Sequence, residues 1–147
     1  MQVTWDFSIV DLVVILSVVS VFAFWVFAKI YWQKYNSPTA VDKKFVKKRW
    51  KDIEQLFNYK KEMNYKLAVI EADKLFDNVL KEMHFPGDTM AQRLKMATYK
   101  YPKLKIVWWG HKMRNHIVHD VKFSCRYGET KKVIGNYKRG LKELNVL

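Results

Sequence analysis

The sequence predicts an all-α protein: an N-terminal single transmembrane helix followed by a small up-and-down helical bundle. Three observations carry that expectation. The run from Leu12 to Ala28 contains no charged residue. Apolar residues then recur at three- and four-residue steps through most of the chain. No alternating apolar–polar run is long enough to build a sheet.

Composition narrows the class further. A chain of 147 residues has room for one modest domain, and an apolar share of 50% with 16% aromatics excludes a disordered polymer. The formal net charge of +13 predicts attraction to polyanions, either nucleic acid or anionic lipid, and says nothing about fold. Cys125 is the single cysteine, which excludes an intramolecular disulfide and fits a reducing compartment.

The expected order is a short extracytoplasmic tail over residues 1–6 and a transmembrane helix over 7–32. A basic juxtamembrane linker or helix over 33–59 and a bundle over 60–147 follow. Roughly 20 apolar residues cross the hydrocarbon core as a helix. Trp5, Trp25, Tyr31 and Trp32 supply the aromatics that settle at the two headgroup layers, and Lys29 can reach outward along its methylenes. A cleaved signal peptide would want a basic start and small residues at a cut site. Here the start carries Asp6 and Asp11, and the far end reads "FWVFAKIYW". A permanent anchor is the better fit. Lys29, Lys34, Lys43, Lys44, Lys47, Lys48, Arg49 and Lys51 all follow the span, so the positive-inside rule places the N-terminus outside and residues 33–147 in the cytoplasm. That lysine cluster is explained by topology and a solvated face; binding of anionic lipid is the sharper alternative.

The sequence "NSPT" at 36–39 breaks the first helix. Val41, Phe45, Val46, Ile53, Leu56 and Phe57, with Trp50 between, outline an amphipathic helix. Tyr65, Ala68, Ala72, Leu75, Phe76, Val79 and Met83 outline the strongest one, which "PGD" at 86–88 stops. Thr89 and Gln92 have capping-box spacing and open a shorter helix ending before Pro102. The next helix runs over 104–119, "DVKFSCRYGE" is a connection, and Val133, Ile134, Tyr137, Leu141 and Leu144 mark a last helix weakened by Gly135 and Gly140.

The helix over 104–119 presents two faces. At 100° per residue, Ile106, Trp109, Gly110, Met113 and Ile117 form a core stripe, while Leu104, Trp108, His111, Asn115 and Val118 fall on the opposite side. Lys105, Lys112 and His116 are left for water. A second copy of the chain is the simplest cover for the face of Leu104, Trp108, His111 and Val118, through a two-fold contact. Arg114 and His119 sit about 140° apart around the axis, so one helix does not aim both at one small target, whereas two helices related by a dyad can.

The sequence "RNHIVH", Arg114-Asn115-x-x-x-His119 followed by Asp120, resembles the motif of HEPN domains: arginine, four to six residues, histidine. "AVIEADKLFDNVLKEMHFPGDTMAQRLK" is similar to the second helix and loop of bacterial HEPN-like proteins, and the resemblance covers roughly residues 60–145. It implies an all-α bundle that dimerises through the motif helix and, in active members, metal-independent RNA cleavage. On this chain His119 would be the general acid or base, Arg114 would neutralise the phosphate, and Asn115 would hold histidine or phosphate. No cofactor is called for.

Between Asp88 and Asp120 there is no acid, while Arg93, Lys95, Lys100, Lys103, Lys105, Lys112 and Arg114 alternate with Tyr99, Tyr101, Trp108 and Trp109. Basic side chains with aromatic platforms suit single-stranded RNA; taken one at a time, such residues are more often core or solubilising. His116 and His119 lack the cysteine or carboxylate partners of a zinc site. His84 is expected at a helix end, Cys125 lacks a histidine–acid pattern, and Glu71, Asp73 and Asp77 are expected on a solvated face. The functional expectation is a membrane-anchored HEPN-like domain that binds RNA and cleaves it in a homodimer. The alternative is a non-catalytic dimerisation or partner-docking module at the membrane.

Overall fold

The computed structural model describes residues 9–36 and 41–147, with side chains for 9–31 and from Val41 onward. The chain is all-helical: α1 (Ile9–Asn36), α2 (Lys43–Asn58), α3 (Glu62–Glu82), α4 (Met90–Lys100), a 3₁₀ turn (Pro102–Ile106), α5 (Val107–His119) and α6 (Tyr127–Glu143). No strand occurs among the described residues. Two compact units divide between Ser37 and Pro38.

The first unit is α1. Residues Ile9–Tyr31 are long and apolar enough to cross a membrane, with a mean hydropathy of 2.6. At 1.5 Å per residue they extend about 34 Å, against roughly 30 Å of hydrocarbon. The serine hydroxyls inside this stretch are satisfied within the helix: Ser17 donates to the Val14 carbonyl (2.7 Å) and Ser20 to that of Ser17 (2.8 Å). Lys29 Nζ lies 5.1 Å from the Trp25 ring. Helix α1 continues past the expected end at residue 32 to Asn36. The expected tail over residues 1–6, Trp5 and Asp6 included, lies outside the described residues.

In the second unit α3 is central and packs against α2, α4, α5 and α6. Asp42 caps α2, its Oδ1 accepting from the backbone of Lys44 (2.9 Å) and Phe45 (3.0 Å). Val46, Trp50 and Ile53 then enter the same core as Ala72, Phe76, Leu80 and Leu141. The expected boundary at residue 59 is therefore a turn inside one packed body, and the bundle takes in α2. Of the two adjacent residues expected on the buried stripe, Val46 is buried and Phe45 is 47% exposed. Arg49 fixes α2 to α3 through Glu71 (2.7 Å), and Lys138 of α6 reaches Glu54 of α2 (2.6 Å).

The helix ends follow local chemistry. At the end of α3, His84 adopts φ +59. The backbone N–H groups of His84 and Phe85 then return to the carbonyls of Lys81 (2.8 Å) and Leu80 (3.0 Å). Asn145 (φ +56) repeats this arrangement after α6, which brings Val146 into the core. The Thr89–Gln92 capping box forms as expected.

Leu104 and Val107 explain where the helical wheel for 104–119 departs from the structure. Pro102 opens a 3₁₀ turn with about 120° per residue, not 100°. That turn carries Leu104 inward, fully buried in its own core beside Val107. Leu104 is thus withdrawn from the face expected to meet a second copy. Trp109, expected in the core, is 43% exposed, while Gly110 and Met113 keep the inward stripe.

Gly110 lets α5 approach α6. A Cβ there would lie 2.5 Å from Tyr137 Cε2 and 2.7 Å from its Cζ. Gly110→Ala is expected to destabilise the unit by about 1–3 kcal/mol, the usual cost of overpacking, measured by urea unfolding. Gly135→Ala, where a Cβ meets nothing within 4 Å, is expected to be neutral or stabilising.

Candidate functional site

Asp73 of α3 is the centre of a polar cluster that joins three helices. It stands one helical turn from the core residues Val69 and Phe76 and is only 5% exposed. The Tyr137 hydroxyl of α6 donates to its Oδ1 at 2.7 Å, and His111 Nδ1 of α5 lies 2.9 Å from the same oxygen. Arg114 Nε stands 3.7 Å from Oδ2, within ion-pair reach but beyond a hydrogen bond. Arg114 Nη1 donates to Asn115 Oδ1 (3.2 Å), and Asn115 Nδ2 lies 3.4 Å from His111 Nε2. One proton assignment satisfies the whole set: His111 donates from Nδ1 to the carboxylate, leaving the Nε2 lone pair to accept from Asn115. Burial raises the Tyr137 phenol well above its ordinary value, and the Asp73 charge and hydrogen bond push it further. Tyr137 therefore remains a donor.

The cluster opens onto a groove of about 510 Å³ between α3, α5 and the start of α4. Asp73, His111, Arg114 and Asn115 line it from within, with Lys74 and Lys81 of α3 also on its wall. Of the motif, Arg114 and Asn115 reach this groove. His119 does not; it is exposed at the last position of α5, and no described hydrogen bond or ion pair joins it to Arg114. His116 stacks on Phe123, with ring centroids 5.5 Å apart. His111, expected on a face between copies, is held inside its own chain by Asp73, with Trp108 edge-on to it at 6.3 Å. Val118 is 49% exposed and Trp108 half-buried, so of that expected face these two remain toward solvent.

Arg93 departs from its expected role. Its guanidinium forks onto Asp77, Nε to Oδ1 at 2.7 Å and Nη2 to Oδ2 at 3.0 Å, while Nη1 donates to the Gly87 carbonyl. Buried and fully used, it locks α4 and the preceding turn to α3 and offers nothing to a nucleic acid. Lys95, Lys100, Lys103, Lys105 and Lys112 are exposed. Lys103 is paired with Glu143 (3.1 Å) and Lys100 lies over the Tyr101 ring (5.7 Å). None of these five lines the groove, whose lysines come from α3. The basic run in the sequence thus reaches the groove only through Arg93 and Arg114, and Arg93 is there engaged with Asp77.

Asp73 is the residue that sequence reasoning placed wrongly, on a solvated face. The available signal was an acid one turn from Val69 and Phe76 on the helix with the strongest apolar stripe. Cys125 is buried, and burial raises its thiol above the ordinary range, which leaves it a poor nucleophile. No protein-family model, curated protein or solved structure matches the chain.

Two tests follow. Tyr137→Phe removes one donor from a buried carboxylate and is expected to cost roughly 1–3 kcal/mol in urea unfolding. For Asp77, burial pushes the carboxyl up, but hydrogen bonds and charge from Arg93 and Lys81 outweigh it and hold the group below its ordinary value of 3.8. A depressed carboxyl stabilises the fold above its unfolded value and loses that contribution as pH falls through the folded one. Asp77→Asn is therefore expected to unfold at lower urea than the unaltered chain at neutral pH. The gap should close as pH drops below about 4.

Proposed function

We propose that this chain is a membrane-tethered, HEPN-like helical domain that binds RNA at the Arg114 groove and cleaves it without metal. Arg114 and His111 both standing at the buried Asp73 carboxylate, joined through Asn115 in an open groove, is the observation that supports this reading. Helix α1 would span the bilayer, and the excess of lysine and arginine after it would keep the bundle in the cytoplasm with the N-terminus outside.

In the proposed reaction His111 Nε2 accepts the proton of the ribose 2′-hydroxyl, displacing Asn115 from that nitrogen. The 2′-oxygen attacks phosphorus, the P–O5′ bond breaks, and the products are a 2′,3′-cyclic phosphate and a 5′-hydroxyl. Arg114 takes up the charge that builds on the phosphoryl oxygens. Protonation of O5′ falls to His119 of a second copy, because one chain's Arg114 and His119 diverge. Trp108 and Val118 would form part of that contact between copies.

A second reading rests on a different observation: no buried side-chain nitrogen or oxygen among the described residues lacks a partner. A fully satisfied network is what a fold-specifying device looks like, and the same bundle would then serve as a non-catalytic docking module.

The full chain in detergent, incubated with unstructured RNA and a chelator, separates the two. The enzyme reading expects cyclic-phosphate ends and a loss of about 100-fold or more in His111→Ala and in His119→Ala. RNA left intact by a dimeric, folded protein sinks catalysis and leaves the module.

A further inference from the structure

We propose that the lysine face of α2 is a docking surface for anionic phospholipid headgroups. This rests on α1 being a membrane span and is independent of what happens in the Arg114 groove.

The face follows from the helical register. Val46, Trp50, Ile53 and Phe57 turn one side of α2 inward. Lys43, Lys44, Lys47, Lys48 and Lys51 all fall on one arc of about 140° away from it. All five are exposed, and none is ion-paired among the described residues. The acids nearby are taken up elsewhere. Glu54, which falls within the arc, is already engaged: it accepts from Lys138 and from Trp50 Nε1 (2.9 Å), and those contacts outweigh its burial and hold its carboxyl below the ordinary value. Asp52 lies 3.7 Å from Arg49, and Asp42 is spent on the helix cap. Phe45, half-exposed about 60° beyond the Lys48 edge of the arc, adds an apolar side chain on that flank, of the kind interfacial helices sink among headgroups.

A cluster of five or six basic side chains beside a membrane span is the pattern that anionic leaflets attract. Here the chain also supplies proximity. Eleven residues separate Tyr31 from Lys43, and the first five of these are helical. The rest can extend no more than about 3.3–3.6 Å each, so the start of α2 stays within roughly 30–35 Å of the end of the apolar span. Tethering at that range turns individually weak lysine–lipid contacts into an intramolecular equilibrium. RNA is the rival polyanion. The α2 face is less suited to it than to a planar lipid surface, because its exposed aromatics, Phe45 and Tyr59, lie beyond the arc and none stands between the lysines.

The test uses the full chain in lipid nanodiscs and lysine acetylation read by mass spectrometry. One disc is pure phosphatidylcholine; the other carries about one-third phosphatidylserine to give a negative surface. Co-purification of the chain with both discs checks the α1 reading separately. The expected result is severalfold slower acetylation of Lys44, Lys47, Lys48 and Lys51 in the anionic disc, with Lys95, Lys112 and Lys131 unchanged. Salt near 1 M, which shortens screening to about 3 Å, should abolish the difference. In a chain with Lys44, Lys47, Lys48 and Lys51 each changed to Gln, Lys43 should react equally in both discs. Equal reactivity of the native lysines in both discs overturns the proposal. So does protection by added single-stranded RNA in the phosphatidylcholine disc without protection by phosphatidylserine.

Discussion

A single buried carboxylate organises the bundle. Placing Asp73 in the interior removes a charge from water, which is costly unless every lone pair finds a donor. Tyr137, His111 and Arg114 come from two other helices to meet that need. Helices α3, α5 and α6 are therefore held in one register and not merely pressed together. The same requirement gathers an arginine, an amide and a histidine at the groove, so the chemistry proposed there and the stability of the bundle draw on the same atoms. Substitutions in this cluster will change fold and function together, and a conservative change such as Tyr137→Phe is more informative there than a truncation.

Much of the fold was legible, because helices announce themselves through spacing. The long apolar helix α1, the stripe of α3, the stop at 86–88 and the Thr89 cap could each be read from adjacent residues. The departures have separate causes: a local change of helical pitch at Leu104 and a misjudged register at Phe45. Leu104 turns inward because Pro102 opens a 3₁₀ turn, and a 100° wheel cannot register that. Phe45 stands about 100° from Val46 on the wheel, outside the arc that Val46 shares with Trp50, Ile53 and Phe57, so the register of α2 itself leaves it exposed.

The site was less legible than the fold. Arg114 and Asn115 were identified, but Asp73 and the linking role of His111 depend on contacts across 38 and 64 positions of chain. Arg93 was grouped with the RNA-facing lysines on charge alone. Its bidentate fork onto Asp77 shows why a basic residue near an acid of a neighbouring helix is as often an internal fastener as a free cation. Sequence composition reports how many cations there are; geometry reports which of them are already engaged.

The contact between Gly110 and the Tyr137 ring links two positions in a further way. The ring stacks over a bare Cα because its hydroxyl must reach Asp73, so the absence of a side chain at one site and the presence of a phenol at the other are a single requirement. Related chains should therefore change both positions in concert: a larger residue at 110 would be tolerated only where the aromatic at 137 has shrunk and some other donor has been recruited to the carboxylate.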